Sequence, residues 1–210
     1  MDERVEGTLE KTRPRGPRSP KARALLAGGL VLGVGAAITL AAWNDSEFAR
    51  GTFTAGTFNM VGSTDGTTYA EHATVGAPAM LAFTVNPTLL APGDVVYAPF
   101  AVRLDAATTN AAVVTISNAA TSGTVANLTY TLLKPTAWGC SASTTAGVDG
   151  TTELVPATAT VGTVPASTTF NLATGTPGAS VFLCFKVTAG ALITQGQTGT
   201  ATWQFAAVSQ

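Results

Sequence analysis

The chain has 210 residues, of which 46% are hydrophobic and only 11% are charged, and its formal net charge is -1. From Trp43 onward, Arg50, Arg103, Lys134 and Lys186 are the only cations, against Asp45, Glu47, Asp65, Glu71, Asp94, Asp105, Asp149 and Glu153. Four basic against eight acidic residues leave that part at -4, so it has no electrostatic footprint for nucleic acid or for an anionic membrane surface.

Residues 1–23 form a basic leader. Lys11, Arg13, Arg15, Arg18, Lys21 and Arg23 follow one another without an intervening acid, and Pro14, Pro17 and Pro20 keep the stretch extended and disordered. An uncharged apolar run then occupies 24–42. Basic residues before such a run hold that end in the cytoplasm, so the chain beyond it is delivered outside. At about 20 residues a run is long enough to span a bilayer as a helix, so a cleaved signal peptide and a retained anchor both fit its length. Gly28, Gly29, Gly33 and Gly35 thin its hydrophobicity, Ala41 and Ala42 offer a cleavage site, and no basic stop-transfer cluster follows. These features favour a cleaved signal peptide with the cut near Ala42, and Thr39 suits a cut after Ala41. The chain then touches a membrane only through an uncleaved signal segment, and its partner during export is signal peptidase. There is no twin arginine to support export in folded form.

Residues 43–210 are expected to form one secreted domain, long enough for a real core. No second long apolar run follows Ala42. Threonine, alanine and glycine take the place of charge, and threonine suits a strand with a wet outer face. Period-two stretches recur at TFTAGTFNM, AMLAFTV, VVYAPFAVRL, AAVVTIS, NLTYTLL, SVFLCFKVT and TGTATWQFAAV. In the third, Val96, Ala98, Phe100, Val102 and Leu104 share one face, while Pro99, which cannot donate to a ladder, places the strand at an edge or beside a bulge. Turn signals at Asp65-Gly66, Pro92-Gly93-Asp94, Asp149-Gly150 and Pro177-Gly178 punctuate the series. The expected fold is all-β, a jelly-roll-like antiparallel β-sandwich preceded by the signal-peptide helix.

Between Ser141 and Ala179 the chain is rich in Thr, Ala, Gly and Pro, with Leu154, Val155, Phe170 and Leu172 as its main apolar anchors. It reads as a long, partly strand-forming excursion pinned by Cys140 and Cys184, the only two cysteines. An even count in an exported chain favours a disulfide over two buried thiols. Closing a loop of about 45 residues contributes about 4 kcal/mol in the chain-entropy model.

No assembled catalytic chemistry is visible. His72 is the only histidine and lacks the second ligand that a helical zinc site requires, and no serine stands in a GxSxG turn. The acids are scattered, without a calcium loop; Asp94 and Asp149 sit beside glycine as ordinary turn residues. No metal, cofactor or enzymatic activity is expected. Trp138, Trp203, Phe53, Phe58, Phe83, Phe100, Phe182 and Phe185 could line a glycan groove, but a β domain of this size needs most of them as core.

The run Ala41-Ala42-Trp43-Asn44-Asp45, followed by Gly51-Thr52-Phe53-Thr54-Ala55-Gly56-Thr57-Phe58-Asn59-Met60, resembles the signal and first-strand signature of the TasA/camelysin family, exported substrates of the SipW type of signal peptidase. Leu90-Ala91-Pro92-Gly93-Asp94 is similar to that family's turn ahead of its next core strand, and GQTGTATWQFAAVSQ to the closing strand of actinobacterial members. The resemblance implies a jelly-roll protein of the cell surface or the extracellular biofilm matrix, with self as its partner in a fibre or homo-oligomer. It further implies that the segment freed by cleavage, Trp43 to Met60, pairs as a strand with the next subunit, with Phe53, Phe58 and Met60 filling the neighbour's groove. The chain departs from the best-known fibre former in its low charge and its cysteine pair, and it carries no protease motif. The competing class is a monomeric surface module that binds glycan or protein through exposed aromatics.

Overall fold

A computed structural model describes residues 47–84 and 88–210. The basic leader, the apolar signal segment and the Ala42–Trp43 cleavage pair lie outside the described residues. The chain divides into Met1–Phe53 and Thr54–Gln210. Of the first part, residues 47–53 are described; they have no regular structure and their side chains are exposed.

The second part is all-β among the described residues. Its strands are β1 (Met60–Ser63), β2 (Val95–Leu104), β3 (Ala112–Gly123), β4 (Leu128–Lys134), β5 (Thr152–Thr160), β6 (Thr169–Leu172), β7 (Val181–Ala189) and β8 (Gly199–Ser209). They form two sheets, one in the order β1-β2-β7-β4-β5 and one in the order β6-β3-β8. Every pairing is antiparallel. The chain changes sheet between β2 and β3, β3 and β4, β5 and β6, β6 and β7, and β7 and β8. Two antiparallel sheets with one core between them is the arrangement of a β-sandwich.

The alternation read in β2 sets that core. Val96, Ala98, Phe100, Val102 and Leu104 are all buried. Register carries the pattern across the sheet: Ala98 lies opposite Phe185 of β7, and Phe185 lies opposite Leu132 of β4. From the other sheet come Ala112, Val114, Ile116, Phe170 and Leu172. Aromatic rings bridge the two layers, with Phe205 of β8 5.5 Å from Phe100 and Trp203 4.7 Å from Phe185. Such ring pairs add to the burial energy through their tilted geometry.

Pro99 sits where its missing N–H costs nothing. Thr84 N–H donates to Tyr97 O at 2.8 Å, so the backbone of Tyr97, and of Pro99 two residues on, faces away from β7. On that side β1 pairs only with Ala101 to Leu104, so Pro99 lies just beyond the end of the ladder.

The 141–179 stretch supplies β5 and β6. Cys140 and Cys184 are joined, with their Cα atoms 5.0 Å apart, which ties the β4–β5 connection to the outer face of β7. Lys186, two residues on, holds the same connection by donating to the carbonyls of Ala142 and Thr144 at 3.2 and 2.9 Å.

Two expected strands differ. TFTAGTFNM enters the sheet only at its last residue, Met60, which opens β1. Of AMLAFTV, the described residues Ala79 to Thr84 form no strand and make a single bridge, Thr84 to Tyr97. Strand pattern alone does not make a strand: an adjacent edge must be within reach.

Candidate functional site: an open groove between the sheets

Five strands face three, and the smaller sheet stops at β8. Beside β8 the sandwich is open, leaving a groove of 1110 Å³, at the upper end of the roughly 300–1,000 Å³ of small-molecule pockets. Its floor is the inner face of the larger sheet at Val96, Phe100, Val102, Phe185 and Val187. One wall is β8 from Gly199 to Phe205; the other is the stretch Pro78–Leu81 with Phe83, and Phe58–Gly62 closes one end. The lining carries one carboxylate, Glu71, and the imidazole of His72.

β8 leaves its outer edge unpaired among the described residues. Its eleven residues, GTATWQFAAVS, include no charge and no proline, the two devices that usually blunt a sheet edge. Its register with β3 runs from Ser209 to Gly199 with one bulge at Asn118/Ala120. No backbone group of the strand bonds to anything on its outer side among the described residues. At the bulge, Asn118 Nδ2 is buried without a hydrogen-bond partner and lines the groove. Trp203 Nε1 is likewise buried without an acceptor in hydrogen-bond geometry, and its ring lies 5.4 Å from that of Tyr130 between centroids. Burial pushes the Tyr130 phenol up, and its hydroxyl donates to Thr163 O at 2.9 Å.

At the end of the groove the chain is fastened to the body. Thr57 bridges Thr108, with its hydroxyl donating to Ala107 O. Asn59 N–H donates to Thr108 Oγ1 at 2.8 Å, and its side-chain amide donates to Asp105 Oδ2 and to Glu71 Oε1, both at 2.9 Å. The Thr108 hydroxyl in turn lies 2.8 Å from Asp105 Oδ1. The Asn59 amide first, and the Thr108 hydroxyl next, hold the Asp105 carboxyl below its usual range. Gly62 keeps this end narrow: a Cβ there would stand 2.8 Å from the Phe100 ring.

The side chains expected to enter a neighbour therefore occupy different places. Phe53 is free, at 93% exposure, whereas Phe58 is 40% exposed and lines this chain's own groove. Met60 stands in β1 opposite Leu104 and packs against the core. The stretch ahead of Thr57 is the part that no strand of the body holds. Ala42 and Trp43 lie outside the described residues.

The other singled-out residues have ordinary surroundings. His72 is exposed at the groove mouth, and among the described residues no three His, Cys, Asp or Glu side chains gather to hold a metal ion. Asp65 is a turn residue; backbone N–H groups of Thr67 and Thr68 and the Ser63 hydroxyl donate to it and push its pKa down. On the outer face of the larger sheet, Arg103 lies 3.8 Å over the Tyr69 ring and Trp138 meets Phe182 edge-on at 6.1 Å. These aromatics are packed among themselves, and neither Trp138 nor Trp203 is exposed. Sequence reasoning missed the groove, Asn118 and the unpaired outer edge of β8. The clue to the last was its charge-free, proline-free length. Compared with known proteins, the chain matches no family model and no curated protein.

Proposed function

We propose that this chain is an exported, non-enzymatic structural protein of the cell surface or extracellular matrix, a jelly-roll relative of the TasA/camelysin family that assembles with further copies of itself. Signal peptidase, cutting at Ala42–Trp43, frees an N-terminal segment, and that segment enters the groove of the next subunit as an added strand. While the apolar run is attached, the segment is held at the membrane and cannot reach a partner.

The observation that carries this reading is the groove beside the unpaired β8 edge. It is an open cleft over an apolar floor, and its wall is a long uncharged strand edge. An occupant lies in the same chain: residues 47–56 are exposed and unpaired, and they continue a stretch with further length toward the cleavage site. Five changes of sheet along the strand order support the jelly-roll assignment. Packing of the outer-face aromatics weighs against a glycan-binding module, which needs such rings free.

Electron microscopy of the exported protein, with and without residues Trp43 to Gly51, tests the proposal. Filaments are expected only with the segment present. Filaments of the same form and yield after its removal would sink strand donation.

A further inference from the structure

We propose that the groove takes its guest strand between two edges, with β8 on one side and a latent strand, Ala79–Phe83, on the other. This rests on the assembly reading above and names the second half of its acceptor.

Ala79, Leu81 and Phe83 are half-buried and pack against the core, while Met80 is 80% exposed and Ala82 and Thr84 are exposed. That alternation belongs to a strand lying in the sandwich layer rather than to a loop draped over it. Yet among the described residues the backbone from Ala79 to Phe83 makes no hydrogen bond; only Ala77 and Thr84 on its flanks do, to Thr74 and Tyr97. A segment whose side chains are seated and whose amides are unpaired is a strand without a partner.

The single bridge tells which way those amides face. Thr84 N–H points at Tyr97 O of β2. In extended chain the residues of the opposite parity, Ala79, Leu81 and Phe83, turn their N–H and C=O groups to the other edge. The groove lies between this segment and β8, since both line it. A guest strand there meets unpaired backbone on two sides and buries its inward side chains on Val96, Phe100 and Phe185. Asn118 Nδ2, buried, unpaired and part of the groove lining, supplies a further donor for a guest carbonyl. The occupant is residues 43–56 of a second copy. Backbone pairing asks little of its side chains, which fits a segment as plain as FARGTFTAG.

Hydrogen exchange on the full chain, with and without a synthetic peptide of residues 43–56, tests the two-edged acceptor. Bound peptide should slow exchange at Leu81 and Phe83 about tenfold or more, together with outward amides of β8. Ala79→Pro removes an N–H on the groove side while keeping the chain extended, and should weaken the peptide about threefold to tenfold. Protection of β8 alone, with Ala79→Pro binding the peptide as tightly as the parent, overturns the latent strand and leaves strand donation standing. Protection of neither edge overturns both.

Discussion

Thr57 is where the free N-terminal stretch first joins the body, and Asn59, two residues on, is held there by Asp105. The carboxylate accepts from the Asn59 amide and from Thr108, and these bonds place its pKa below the usual carboxylate range. A depressed folded-state pKa means that the folded chain binds the proton less readily than the unfolded chain. The stabilisation is therefore complete above about pH 4 and is lost as the pH falls through the depressed value. We expect thermal midpoints to hold steady near neutrality and to fall on acidification below about pH 4, with a shallower acid limb in Asp105→Asn. Some slope should remain in that variant, because Asp65 is depressed in the same direction by its turn amides. A second residue-scale prediction concerns Gly66. Its φ of +77° is left-handed, and a Cβ there would fall into the Trp138 ring. Gly66→Ala should cost about 2–4 kcal/mol by urea unfolding, combining backbone strain with displacement of Trp138. Gly76→Ala, which would meet open space, should shift stability by no more than about 0.5 kcal/mol.

At the scale of elements, β8 has two tasks that can be separated. Its inward Phe205 and Trp203 close the core, while in the proposed assembly its outer edge receives the guest strand. Ala201 lines the groove and is half-buried, so Ala201→Lys places a charge where the guest strand must pack while leaving the Phe205 contacts intact. Filament assembly should fall at least about tenfold with the monomer still cooperatively folded. Loss of the folded monomer, or normal assembly, would count against the groove as acceptor. Strands with strong alternation and large inward residues were legible from sequence: β2, β4, β7 and β8 lie where period two places them. β5 and β6 were legible only as part of an excursion, since a stretch such as TELVPATAT has one fully buried apolar residue, Val155, and a proline at its centre. The groove was not legible, because it is a missing neighbour rather than a residue. AMLAFTV shows why: it has the pattern of a strand, and its failure to pair depends on where β1 ends and where β8 lies, neither of which is written locally.

For the whole molecule, the scarcity of charge decides what can drive association. After Trp43 the chain carries four cations and eight acids, and the groove lining contributes Glu71 with the imidazole of His72. Arg50 is the one cation of the free stretch, so an ion pair with Glu71 is the main electrostatic contact available there. Exposed pairs of that kind contribute about 0–1 kcal/mol and are screened by salt. By contrast, the apolar floor and the two rows of backbone hydrogen bonds of the proposed assembly would be indifferent to simple salt and strengthened by salts excluded from protein surface. The assembly equilibrium, followed by sedimentation, should therefore change less than about threefold between roughly 0.05 and 0.5 M sodium chloride, and should move toward filaments in ammonium sulfate. A loss of assembly by tenfold or more over that sodium chloride range would shift the driving force from the groove to the Arg50–Glu71 contact. Arg50→Gln would then abolish filaments instead of merely weakening them, and the groove would be reduced to a passive seat for a charge-steered arm.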